Sequence, residues 1–313
     1  FGGGGDAGPV ALTVSSMVST VGQAFLGVRV SATGGNAGSG GVAADQTAFR
    51  KGGTGGSASL VVTPSGQVST DGAGATAAIV ESIGGAGGNR GTGTAYSKPE
   101  VTQGGIGGPA RLDMAGTIRT AGDYAFGALV QSIGGRGGSQ GDAGGRDGAR
   151  GGDGGTVTVI QRGTVVTQGD YALGIVAQSV GGPGGRGGDG IFGGGKGGDA
   201  ATGGSVTLTN SGTVTTGGTG AIGLVAQSIG GGSADTALRL SPLAVRSEAN
   251  GGGAGGRTLW FSTGGTGGTG GRGATAEIVD AGGRIVTAGD AAYGALVQSI
   301  GGSGGIGGDA FTA

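Results

Sequence analysis

The chain has 313 residues, of which 91 are glycine and none is cysteine or histidine, and its 18 basic and 19 acidic residues leave a net charge of -1. Without thiolates or imidazoles, most zinc and haem sites and every triad with a histidine base are excluded. The balanced charge gives no basis for electrostatic capture of nucleic acid or an anionic membrane, and no stretch reaches the roughly 18 apolar residues of a membrane helix.

The chain opens at Phe1 without a visible signal peptide, and glycine tracts stand near both ends, Gly2 to Gly5 and Gly301 to Gly308. It therefore reads as a processed chain or an excerpt of a longer one. From there a valine or isoleucine followed two residues later by threonine recurs six times: Val18/Thr20, Val68/Thr70, Ile118/Thr120, Val165/Thr167, Val214/Thr216 and Ile285/Thr287, at intervals of 50, 50, 47, 49 and 71 residues. Self-similarity at such a period marks a solenoid. Six repeats follow, at approximately 1–51, 52–103, 104–150, 151–202, 203–269 and 270–313. Aperiodic glycine at this level would mean disorder; periodic glycine does not.

The best-formed copy, Gly151 to Gly182, divides into three strand-like pieces. The first alternates, Thr156, Val157, Thr158, Val159, with apolar residues on one face. Its column is read as Leu12, Val62, Leu112, Val159, Leu208 and Ile278 or Val279. The second carries the Val-x-Thr pair. A turn follows, GDYAFG at 122–127, GDYALG at 169–174 and GDAAYG at 289–294, in which Asp123, Asp170 and Asp290 fit a local Asx hydrogen bond. The third piece is GALVQSIGG at 127–135 and 294–302, GIVAQSVGG at 174–182 and GLVAQSIGG at 223–231. Leu129 and Ile133 point one way, Ala128 and Val130 the other, so the strand is buried on both faces, and the glycine tract that follows it is the candidate cover.

Those tracts repeat every three residues, as in GGPGGRGG at 181–188 and GGTGGTGG at 264–271, which is the period of a polyproline-II type helix. We expect ordered, extended, polyglycine-II-like GGX segments packed outside the strands; flexible loops are the alternative. The whole is expected to be all-β, a right-handed parallel β-helix with one rung per repeat and neighbouring strands about 4.8 Å apart. Like residues then form ladders, expected to be hydrogen-bonded: the threonines Thr20, Thr70, Thr120, Thr167, Thr216 and Thr287, and the glutamines Gln131, Gln178, Gln227 and Gln298, with Ser31 and Glu81 at the same place in earlier copies. In the first copy Arg29 stands where the others have an aliphatic residue.

The long fifth interval contains an insertion at 233–262 with the only tryptophan. Leu238, Leu240, Leu243, Trp260 and Phe261 are read either as a partner contact or as apolar cover for the core. Two segments, GGRGGDGIF at 184–192 and GGIGGDAFT at 304–312, match a calcium-binding nonapeptide pattern through Asp189 and Asp309, but each stands alone. Ice binding by the threonine column is a further minor alternative. Nothing suggests catalytic, cofactor-binding or metal-ligating residues, so no enzyme is expected.

The run GALVQSIGGxGG preceded by GTVxTxGDxAxG resembles the glycine-rich passenger repeats of bacterial autotransporter-like surface proteins, over nearly the whole chain. The resemblance implies export to the cell surface or beyond, a β-helical stalk, and roles in adhesion or biofilm matrix; it carries over no catalytic residue. The expected function is a non-enzymatic extracellular structural protein, a stalk or filament that associates with itself. The alternative is an adhesin that binds a surface ligand through 233–262.

Overall fold

A computed structural model of the chain describes residues 2–39, 51–89, 102–141, 145–232, 252–258 and 263–310. All regular structure among them is strand. The first three repeats contribute β1 (Val10–Val14), β2 (Met17–Val21), β3 (Leu26–Thr33), β4 (Ala58–Val62), β5 (Gln67–Asp71), β6 (Thr76–Ile83), β7 (Ala110–Met114), β8 (Thr117–Thr120) and β9 (Phe126–Ile133). The last three contribute β10 (Val157–Gln161), β11 (Thr164–Thr167), β12 (Leu173–Val180), β13 (Val206–Asn210), β14 (Thr213–Thr216), β15 (Ile222–Ile229), β16 (Ala276–Asp280), β17 (Arg284–Thr287) and β18 (Tyr293–Ile300).

Every strand pairs in parallel with its counterpart one repeat away, which gives three six-stranded parallel sheets, consistent with a β-solenoid of one rung per repeat. The Val-x-Thr column runs through the second sheet in strict register, Val18, Val68, Ile118, Val165, Val214 and Ile285. The first-strand column is corrected at one place and settled at another. Leu60, not Val62, stacks between Leu12 and Leu112, and Ile278, not Val279, stacks on Leu208. Val62 belongs two residues on, between Val14 and Met114. A shift of two keeps a residue on the same face, so alternation alone does not separate the two columns.

One continuous core lies among the three sheets, built from inward residues such as Leu60, Leu112, Val159 and Leu208 of the first, Val68, Ile118, Val165 and Val214 of the second, and Ala128, Val130, Ile175, Ala177, Leu224 and Ala226 of the third. The opposite face of the third sheet carries a second buried cluster, Phe126, Leu129, Leu173, Val176, Ile222 and Val225. Rungs complete one another's burial: Val130, in the third rung, is 0% exposed, whereas its equivalent Val297, in the sixth, is 45% exposed. This is how a quasi-one-dimensional array distributes its stability.

The glycine tracts are ordered and form a hydrogen-bonded layer of their own. A leading tract precedes the first strand of each repeat and a trailing tract follows the third. The Gly35 amide donates to the Gly5 carbonyl, Gly53 to Gly35, Gly85 to Gly53, Gly105 to Gly85, Gly135 to Gly105, Gly152 to Gly135 and Gly182 to Gly152, each at 2.8 Å. The zigzag continues through Ala201, Gly231, Gly271 and Gly302, alternating between trailing and leading tracts up the stack. A second bond type links tracts of successive repeats: a glycine after a variable residue donates to the variable residue's carbonyl one rung on, as Gly87 does to Arg136 and Gly137 to Pro183.

The close approach of backbone to backbone explains why these positions are glycine. A Cβ at Gly135 would overlap the Gly85 carbonyl, and one at Gly182 the Gly135 carbonyl. The neighbour is main chain held on both sides and has nowhere to move. Gly135→Ala is therefore expected to cost about 1–3 kcal/mol or more, seen as a lower thermal midpoint, while Arg136→Ala, one residue further along the same tract, should stay within about 0.5 kcal/mol.

Candidate functional site

The side chains with recurring chemistry form columns that run along the stack, so the candidate site is a set of ladders. The threonine column is in register from Thr20 through Thr70, Thr120, Thr167 and Thr216 to Thr287, but the expectation of hydrogen bonding is wrong. Thr70, Thr120, Thr167 and Thr216 are fully buried, and their hydroxyls, with that of Thr20, have no hydrogen-bond partner. A hydroxyl carries donor and acceptor on one atom, so identical hydroxyls repeated every 4.8 Å or so lie beyond bonding distance of one another. The inward orientation also removes this column as an ice-ordering surface.

An amide separates donor from acceptor and spans the same step. Gln131 donates to Glu81 at 3.1 Å, Gln178 to Gln131 at 3.3 Å and Gln227 to Gln298 at 2.6 Å. Glu81 fixes the direction. Its carboxylate only accepts, so the Gln131 amide nitrogen must face it, and Gln178 must then donate to Gln131. Arg29 donates to Glu81 from the other side through Nε at 2.8 Å and through Nη2. The departure of the first copy is thus a cation that ends the ladder. Because Gln178 donates toward the first repeat and Gln227 toward the last, the ladder is broken between them, and both carbonyl oxygens are left without a donor.

The serine of the QSIGG element makes the contact between third sheet and glycine layer. Ser132 Oγ donates to the Gly108 carbonyl at 2.8 Å and accepts the Gly155 amide at 2.8 Å, joining the leading tract of its own repeat to that of the next. Ser82, Ser179 and Ser228 repeat the pattern with Gly56 and Gly108, Gly155 and Gly204, and Gly204 and Ala274. These serines share a face with Val130, Ala177 and Ala226, so the tracts meet the sheet on its core face. The sequence pattern alone assigns this serine no role; the signal that marks it is its recurrence beside the glutamine in QSIGG and QSVGG.

Polar variable residues of the triplets form the last ladder. Asp6 accepts the Thr54 amide, Asn36 that of Ala86, Asn89 that of Ser139, Ser139 that of Arg186, Asp153 that of Thr202 and Asp199 that of Thr269, at 2.6–3.0 Å. The turn aspartates act in the same way: Asp123 accepts the Asp170 amide and Asp170 the Thr219 amide. This replaces the expected local Asx bond. The turn itself places Tyr124 and Tyr171 at φ of 55° and 54°, with their rings stacked at 5.3 Å.

Asp189 accepts the Arg257 amide at 2.6 Å and the Arg186 guanidinium at 2.8 Å, and Asp309 pairs with Arg257. Among the described residues no group of three or more acidic, histidine or cysteine side chains is placed to hold a metal ion. Of the expected partner contact, Leu238, Leu240, Leu243, Trp260 and Phe261 lie outside the described residues. Comparison of the chain with protein-family models, curated proteins and solved structures returns no match.

Two expectations follow. Thr120→Val removes a buried hydroxyl that has no partner, so calorimetry should show an unchanged or higher thermal midpoint, by up to about 1–3 kcal/mol of stability; a clear loss would show that the hydroxyl is bonded. The second concerns acid. Burial raises the Asp153 carboxyl, but bonds from Arg150 and from the amide and hydroxyl of Thr202 outweigh it and hold it below 3.8. The Thr269 amide, opposed by burial and helped by Lys196, likewise lowers Asp199. A lowered folded pKa means that the unfolded chain binds the proton first as pH falls. The stability contribution is complete above the ordinary value and is lost on acidification through the lowered one. Thermal midpoints should fall below about pH 3.8, and less steeply for Asp199→Asn, whose amide oxygen can still accept from Thr269.

Proposed function

We propose that the chain is a non-enzymatic structural protein of the bacterial cell surface or extracellular space: a rigid stalk, coiled as a right-handed β-helix and braced by a polyglycine-II-like layer. One observation carries this reading. Apart from the buried threonines, the polar side chains that recur along the stack bond to a neighbouring rung of the same chain: amides of the third strand, the serines beneath them, and aspartates, asparagines and serines of the triplets. Chemistry arranged in this way resists extension and bending along the stack. The likeness of GALVQSIGGxGG to autotransporter-like passenger repeats supports export and a role in adhesion or matrix.

Self-association is part of the proposal. Parallel strands in register offer the same backbone pattern at each step, and an unpaired outer strand is a template for another of its kind. Electron microscopy of the purified chain should show uniform fibres with a layer spacing of about 4.8 Å; short single rods at every concentration would refute end-to-end assembly and leave the stalk. The second reading, an adhesin that binds a surface ligand through 233–262, is favoured by the one interval of 71 residues among intervals near 50. It is separated by surface binding that disappears when that segment is deleted while the rods persist.

A further inference from the structure

The fifth repeat is long, yet its glycine lattice has no gap. In the fourth repeat Gly182 and Gly185, three residues apart, donate to the carbonyls of Gly152 and Ala149, also three apart. In the fifth repeat the equivalent donors are Gly231 and Gly253, which bond to Ala201 and Gly198 at 2.7 Å each. Two lattice positions lie between such donors, a variable residue and the glycine that follows it. Gly232 fills the first: its carbonyl accepts the Ser303 amide at 3.1 Å, and the Ser303 hydroxyl as well. Gly252 fills the second, donating to the Ser303 carbonyl at 3.1 Å as Gly137 donates to Pro183 one residue beyond its own variable position. Ser303 thus holds Gly232 and Gly252 as if they were consecutive residues. Without residues 233–251 the chain reads GGG-GGA-GGR with the triplet frame intact, and the interval from Val214 to Ile285 falls from 71 to 52 residues.

We infer that residues 233–251 are a module grafted at the junction of two adjoining triplets, and that the solenoid closes without them. The inference is independent of whether the protein is a stalk or an adhesin. It assigns the Gly232–Gly252 junction as a place where the lattice accepts a foreign segment at the cost of a single backbone bond: the flanking Gly232 and Gly252 occupy neighbouring positions held by the sixth repeat, while the Gly232 carbonyl, turned to Ser303, takes no bond from Gly184.

The test is a pair of deletions in the full chain. Removing 233–251 keeps the frame; removing 233–252 leaves one residue where the lattice needs two, a shortfall of about 3.1 Å in an extended triplet helix. The in-frame deletion is expected to melt within about 2 °C of the parent and the short one at least about 5 °C lower, given a shift of roughly 2–4 °C per kcal/mol for a chain of this size. Hydrogen exchange at the Gly253, Gly271 and Gly302 amides should stay slow in the first and become fast in the second. The inference is overturned if the in-frame deletion lowers the midpoint or the protection as much as the short one, or if the short one is silent.

Discussion

The step of about 4.8 Å between hydrogen-bonded strands governs this molecule, because repetition in register presents each residue to a near copy of itself at that distance. A side chain in a ladder therefore succeeds or fails according to whether its own donor can reach its own acceptor one step away. Amides pass this test and hydroxyls aligned with hydroxyls do not, which is why Gln131 and Gln178 are bonded while Thr120 and Thr167 are merely stacked. The serines avoid the difficulty by bonding out of their column. Ser132 never meets Ser179; it meets the Gly108 carbonyl and the Gly155 amide, two main-chain groups that belong to successive rungs.

The same step explains how glycine contributes to the fold. Each ordered residue costs about 1–2 kcal/mol of backbone entropy, and glycine more than most, so a glycine segment without a side chain to bury must recover free energy through its backbone. In the triplet layer the N–H groups are divided among separate acceptors. One glycine bonds sideways to a neighbouring tract, a glycine after the variable residue bonds along the stack, and where the rung before supplies an aspartate, asparagine or serine, that side chain takes the variable residue's own amide. Thr202 on Asp153 and Thr269 on Asp199 show the third kind. Removing any Cβ from the two glycine edges is what lets these bonds form at main-chain distances.

Much of this was legible in the sequence because the period was legible. Val165 and Thr167 recur with their neighbours, and recurrence alone placed the second sheet, its register and the glutamine and threonine columns. The triplet period pointed to ordered tracts. What the sequence left unread was direction and partner. Nothing in QSIGG says that the serine leaves its column for a glycine carbonyl, or that Asp123 reaches across to Asp170 instead of closing its own turn, since either bond suits the residue type. Leu60 and Val62 illustrate a further limit: both are apolar, both point inward, and only pairing with β7 shows which of them stands beneath Leu112. The role of Arg29, which stands where other copies have an aliphatic residue, is equally hidden in the sequence because its partner, Glu81, is 52 residues away.

That pair also shows how a periodic molecule acquires polarity. A ladder of identical amides runs equally well in either direction, and a column of six has no internal reason to choose. A carboxylate at one position breaks the symmetry, because it can only accept. Gln131 must then turn its nitrogen toward Glu81, and the choice propagates to Gln178. It stops at Gln227, whose amide is turned toward Gln298 instead. The two unpaired carbonyl oxygens at that boundary are the cost of two directions meeting within one column. Orientation in this protein thus originates at one charged substitution near one end and persists only as far as neighbouring side chains hand it on. In an array held together by nearest-neighbour contacts, that is also the range over which any local change is felt.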